Sequence, residues 1–226
     1  MEKLTLSKIS KADLKRFVQL EEKGIGSYEW LNLEGITITQ DEQQQVGYIQ
    51  SHLLNYSIHL MNEATIWARG IYPFLLLAER GKIQALAEVL LQVKYPQFEL
   101  EGIADGLLAR SVVDSVEVPY LVVVEAKKGL DNQNPLSQLY GQLLTAGRLN
   151  WQEDRQDPQE VYGCYTIADV WTFVHGKIEG MESEKLRMEL EFSREYSSKN
   201  EGEIILKILK KIVTNHLNLH EGIGVM

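Results

Sequence analysis

Cysteine is nearly missing from the chain: one residue, Cys164, among 226. A single thiol cannot close an internal disulfide or build a cysteine cage for a metal, which fits a reducing compartment. Proline is scarce as well, with 5 residues, and no low-complexity linker divides the chain. Long apolar runs are absent, so no membrane-spanning helix is expected. The opening MEKLTLSKISKADLKRF scatters charges where a secretory leader would carry an apolar stretch and a small-residue cleavage site. No leader is predicted, and the cytoplasm is the expected location. Positive charge is also in deficit, because 23 Lys and Arg against 32 Asp and Glu leave a net charge of −9. Cations that neutralise phosphates supply non-specific nucleic-acid affinity, so the overall field here disfavours such a polymer.

What is present is an ordinary globular composition, 44% apolar and 24% charged, at a length suited to one domain, 1–226. Ile9, Leu14, Phe17, Val18 and Leu20 predict an amphipathic helix over 8–23. GITIT reads as a short strand, and a Thr or Asp cap opens a long helix near residue 41. Along it Leu60, Ala64, Trp67, Ile71 and Leu75 recur at three- and four-residue steps, a face directed at the core, with a kink or break expected at Pro73. Strand-like segments follow at 83–94, FELEGIADGLLARS and YLVVVEAK, then a helix NPLSQLYGQLLTAGRL with Pro135 in its first turn. VYGCYTI and VWTFVHG read as a hairpin turning at Ala168 and Asp169, and EGEIILKILKKIVTNHLNL as a last helix. The order predicts an α/β fold with a central mixed sheet: a helical extension over 1–40, a core over 41–180 and a helical segment over 181–226.

The segment LVVVEAK runs from four apolar residues straight into Glu125, Ala126 and Lys127. Alternation puts Leu121, Val123, Glu125 and Lys127 on one face of that strand. An antiparallel hairpin centred on Ser115 sets Asp105 opposite Glu125, with side chains on one face roughly 5 Å apart at Cβ. Asp114, the rival carboxylate, falls in the turn and too far away. Two adjacent carboxylates repel unless a cation neutralises them, and carboxylate, carbonyl and water oxygens are what Mg²⁺ or Mn²⁺ accepts. Lys127, beside such an ion, is placed to orient or deprotonate a water. The plainer alternative is a solvated ion pair at a frayed strand end, with Asp105 a turn residue before Gly106.

Asp105, then Glu125-Ala126-Lys127 at a strand end, then Gln138 on the following helix resembles the PD-(D/E)XK, or restriction-endonuclease-like, nuclease superfamily. NEATIWARGIYPFLLLA looks like its first core helix, and the stretches IYPFL, LEGIAD, VVVEAKK, NPLSQLYGQLL and VYGCYTIADVWTFV look like an uncharacterised bacterial family within it, over roughly 60–176. The resemblance implies a restriction-endonuclease-like core of αβββαβ order, with Ala104 standing where the motif has proline. It further implies metal ligation by Asp105, Glu125 and the Ala126 backbone carbonyl, with Glu63 as accessory acid, Lys127 as catalytic lysine and Gln138 as a glutamine that orients the site or contacts substrate. The implied activity is Mg²⁺- or Mn²⁺-dependent hydrolysis of phosphodiesters, in DNA, leaving 5′-phosphates; a homodimer or larger complex is a further expectation. The superfamily also contains members that no longer cut, so a silent module binding a protein or nucleic acid is the alternative. Lys128 and Arg110 are candidate substrate contacts, and with Lys94, Lys127 and Arg148 they either line a cleft or are scattered surface charges.

Other residues invite chemistry without supporting it. His216 and His220 share a helix face but lack a third ligand, and His52 and His59 read as ordinary helix residues. The GIG triplets at 24 and 222 lack the strand-to-helix context of a phosphate loop. Cys164 in an apolar strand reads as a buried, inert thiol. Trp151, Trp171, Tyr162 and Tyr165 read as core and rim.

Overall fold

The computed structural model describes residues 1–113, 115–127 and 135–221. Among them eight strands form one curled mixed sheet: β1 (Glu2–Thr5), β2 (Val18–Ile25), β3 (Ile83–Lys94), β4 (Phe98–Val112), β5 (Ser115–Lys127), β6 (Gln159–Ile167), β7 (Val170–Glu179) and β8 (Leu186–Ser197). The helices are α1 (Lys11–Lys15), α2 (Gln40–Asn55), α3 (Glu63–Ile66), α4 (Tyr72–Leu77), α5 (Pro135–Asp154) and α6 (Gly202–Glu221). Helix, three strands, helix, strand is thus the order from α3–α4 to β6.

Neighbours run β1-β4-β5-β6-β7-β8-β2, with β3 also on β4. The pairing of β3 covers β4 from Glu99 to Arg110 along one edge. An edge takes one neighbour at a time, so β1, at Phe98–Glu101, and β5, from Gly106 onward, share the other edge. Between them β4 has no strand partner on that side, and this gap positions the candidate site.

Helices cover both faces. On one, Leu139, Leu143 and Leu144 of α5 pack with Val123, Val161 and Val174. On the other, Phe74 and Leu75 of α4 and Ile205 and Leu209 of α6 pack with Val122, Val124 and Phe173. Strand β5 is buried on both sides, which explains its unbroken apolar run, and it pairs with β6 in parallel through the α5 crossover.

Several expected elements form. Thr39 caps α2, accepting from the Glu42 N–H while the Glu42 carboxylate accepts from the Thr39 N–H. Pro135 opens α5, β3 spans the segment expected at 83–94, and β6 and β7 turn at Ala168, whose φ is 55°.

Others differ. The helix expected over 8–23 shrinks to α1, closed by a Ser10–Asp13 capping box, because Val18 and Leu20 also alternate and meet Leu186 and Met188 of β8 across a parallel ladder. The segments 1–40 and 181–226 supply β1, β2 and β8 to the sheet, so neither is a purely helical extension, although α6 forms where the last helix was expected. GITIT forms no strand. The long helix ends at Asn55, and Asn62 caps a new one by accepting from the Thr65 N–H at 2.8 Å. Leu60, at 83% exposure, and Ala64 therefore miss the core, whereas Ile71 and Leu75 reach it. The break expected at Pro73 is a π-helical turn over Trp67–Ile71, just ahead of the residue that lacks an N–H.

Candidate functional site

The β4–β5 ladder carries irregularities around Ala109. From Val112↔Ser115 it is six residues back along β4 to Gly106 but nine forward along β5 to its partner Val124, so β5 holds three extra residues. They are the unpaired Val118, Pro119 and Leu121. Proline cannot donate to a ladder, which explains a disruption there. Asn150 of α5 serves the bulged backbone, accepting from Tyr120 N–H at 2.8 Å and donating to its carbonyl at 3.1 Å. The turn is therefore tighter than one centred on Ser115, yet the extra residues restore the expected alignment. One step beyond Gly106↔Val124, Asp105 comes opposite Glu125. Asp114 lies outside the described residues.

At that step the strands part. The Ala126 N–H, which would otherwise seek a β4 carbonyl, donates to Asp105 Oδ2 at 2.7 Å. The N–H and C=O of a strand residue leave by the same edge, so the Ala126 carbonyl also faces the gap. The Lys127 carbonyl faces the other way and accepts from Ala168 N–H. Glu125 is fully buried. Its Oε2 accepts from Gln142 Nε2 at 2.7 Å, and its Oε1 lies 2.7 Å from Lys127 Nζ. Among the described residues Oε1 has this ion pair and no further hydrogen-bond donor.

Burial first, and the charge of Asp105 second, push the Glu125 carboxyl up to about 7 against the pull of Lys127 and Gln142. Asp105 is raised too: burial outweighs the Ala126 N–H and Lys127, and the charges of Glu63 and Glu88 add to the rise. Burial works to lower Lys127, but contact with Glu125 and the charges of Asp105 and Glu63 prevail and raise it. Lys127 is thus held protonated in this arrangement, and its single charge offsets only part of that of the two carboxyl groups.

The expected residues are not all brought together. Glu63, at the start of α3, is exposed but close enough to act electrostatically on Asp105 and Lys127. Gln138 is buried on α5 one turn before Gln142, and Gln142 is the glutamine that reaches Glu125. Arg110 lies near the hairpin tip, paired with Glu117 at 3.2 Å and roughly 17 Å of strand from Asp105. Arg148 is locked in the fold by the carbonyls of Lys94 and Met181 and by the ring of Trp151. Lys94 ends β3 beside Glu99. The basic residues therefore do not gather at the site, which corrects the cleft arrangement; Lys128 lies outside the described residues. Two residues were missed. The resemblance points to Gln138 alone, although Gln142 lies four residues on and so on the same helix face. Glu88 carried no pattern; its φ of 53° interrupts β3 directly across from Asp105. Cys164 is buried, which pushes its thiol up and fits the inert reading.

Among the described residues no group of three or more His, Cys, Asp or Glu side chains is arranged to hold a metal ion. The set at the gap is smaller: two carboxylates and a backbone carbonyl. Its all-oxygen chemistry, and a buried Glu125 oxygen already facing a cation in Lys127, fit a hard divalent cation. No helix among the described residues is long and apolar enough to cross a membrane. Comparison with protein-family models finds no match, and comparison with curated proteins finds none either.

Proposed function

We propose that the chain is a metal-dependent nuclease of the PD-(D/E)XK type, hydrolysing phosphodiester bonds in DNA. The observation that carries this reading is the convergence of Asp105, Glu125 and Lys127 where β4 and β5 part, with one Glu125 oxygen facing only the Lys127 ammonium among the described residues. Asp105, Glu125 and the Ala126 carbonyl would hold Mg²⁺ or Mn²⁺, with Glu63 as an outer acid. A bound ion supplies polarisation of a phosphoryl oxygen and activation of water. With the carboxylates holding an ion, the Lys127 Nζ would orient a water or a phosphate oxygen. Gln138 would contact substrate from α5.

A second reading, a nuclease-fold module without activity, is favoured by one observation. Glu63 and Glu88 add negative charge around Asp105, while Arg110 and Arg148 are engaged elsewhere. Calorimetry with Mg²⁺ and Mn²⁺ on the native protein, Asp105→Ala and Glu125→Ala decides between them. Binding lost in both variants, with ion-dependent DNA cleavage by the native protein, is expected. Equal binding in all three, or none in any, removes the metal site and leaves the silent module.

A further inference from the structure

We infer that Gln142 is a positioning residue of this site, holding Glu125 from behind so that its Oε1 faces the gap between β4 and β5. The inference rests on the metal-site reading above and concerns a residue that reading does not use. Gln142 is fully buried on α5. Its Nε2 donates to Glu125 Oε2 at 2.7 Å, and the same nitrogen lies 3.5 Å from the Ile103 carbonyl, at the limit of hydrogen bonding. Ile103 stands two residues before Asp105, in the stretch of β4 that neither β1 nor β5 covers. One amide thus reaches both strands that carry the carboxylates, at the level where no ladder ties them together.

The two oxygens of Glu125 are divided in use. Oε2 is taken by a neutral donor buried within the protein. Among the described residues Oε1 meets only Lys127, a long side chain on a flexible stem. Glu125 Oε1 would thus be the oxygen offered to a cation, while the Gln142 contact holds Oε2. The other end of Gln142 supports this assignment: its Oε1 is buried with no hydrogen-bond partner. A residue kept for packing alone would do better as Leu or Met, since an amide leaves one acceptor unpaired. The amide orientation follows from the contact, because the reverse flip would set Gln142 Oε1 against a carboxylate oxygen.

The test compares Gln142→Met with Gln138→Met, the same apolar change one turn earlier. Each variant is checked for cooperative thermal unfolding and then titrated with Mg²⁺ and Mn²⁺ by calorimetry. Gln142→Met should still unfold in one cooperative transition, at a lower temperature because Glu125 Oε2 loses its donor, yet bind the ion about 10- to 100-fold more weakly, the effect of losing a partner that orients a ligand. Any cleavage it retains should be rescued by raised Mg²⁺. Unchanged affinity in a folded Gln142→Met, or a larger loss in Gln138→Met, overturns the assignment while the metal site stands. If Gln142→Met does not fold, Gln142→Asn serves instead: the shorter amide cannot reach Glu125 Oε2, so ion binding should weaken, and unchanged affinity overturns the assignment. Absence of ion binding in the native protein overturns both readings.

Discussion

At the scale of the residue, Glu125 presents the central conflict: a fully buried carboxylate beside another carboxylate. Its pKa in the folded chain is raised from 4.5 to about 7, so between those values the native state holds a proton that the unfolded chain has released. Stability therefore falls as pH rises through that window, by an amount on the order of a few kcal/mol before relaxation is allowed for. Glu125→Gln keeps the shape and removes the titration. Urea unfolding at pH 5 and pH 8 should show the native protein losing stability relative to Glu125→Gln across the interval, with Mg²⁺ restoring part of it to the native protein alone. Parallel pH profiles for the two proteins would mean that Lys127 already compensates the charge and no conflict exists. The strand-end charges were legible in the sequence because an apolar run into Glu-Ala-Lys breaks the logic of a buried strand. Gln142 was not, since a choice between two glutamines one helical turn apart depends on how α5 sits on β5, and no local pattern encodes that.

At the scale of the element, continuous or alternating apolar runs proved readable wherever burial dictated them, as in β5, β6 and β7. Strand β2 was hidden because its apolar residues satisfy two periods at once. Val18 and Leu20 fit a helix and a strand equally, and β8 decided between them. The alternation of Leu186, Met188, Leu190 and Phe192 was itself a strand signal that the reading overlooked. The hairpin register came out as expected for an incomplete reason, since the bulge at Val118, Pro119 and Leu121 compensated for a displaced turn. Gly106 ties this hairpin to the helix bearing Glu63: a Cβ there would come within 2.3 Å of the Trp67 ring. Gly106→Val, otherwise favourable in a strand, should cost about 1–3 kcal/mol by overpacking, read as a lowered urea midpoint. Adding Trp67→Ala should recover part of that loss, and a strictly additive double variant would show that the ring is not what excludes a side chain.

At the scale of the whole molecule, charge and site pull in opposite directions. The net charge of −9 was evident from composition, but where the cations go was not. Arg110 and Arg148 are spent on a hairpin tip and a buried network, so the described surface near Asp105 and Glu125 offers Lys127 against Glu63 and Glu88. A nuclease built this way must draw most of its hold on a phosphate backbone from the bound ion. Fluorescence anisotropy with a labelled DNA duplex should then show no measurable binding without divalent ions at roughly physiological salt. With Mg²⁺ or Mn²⁺ present, the salt dependence should be shallow, equivalent to about one or two phosphates neutralised by side chains. In Asp105→Ala the ion should no longer promote binding. Tight, steeply salt-dependent binding without any divalent ion would instead require a basic face away from Asp105 and Glu125, and would shift weight to the module that binds nucleic acid without cutting it.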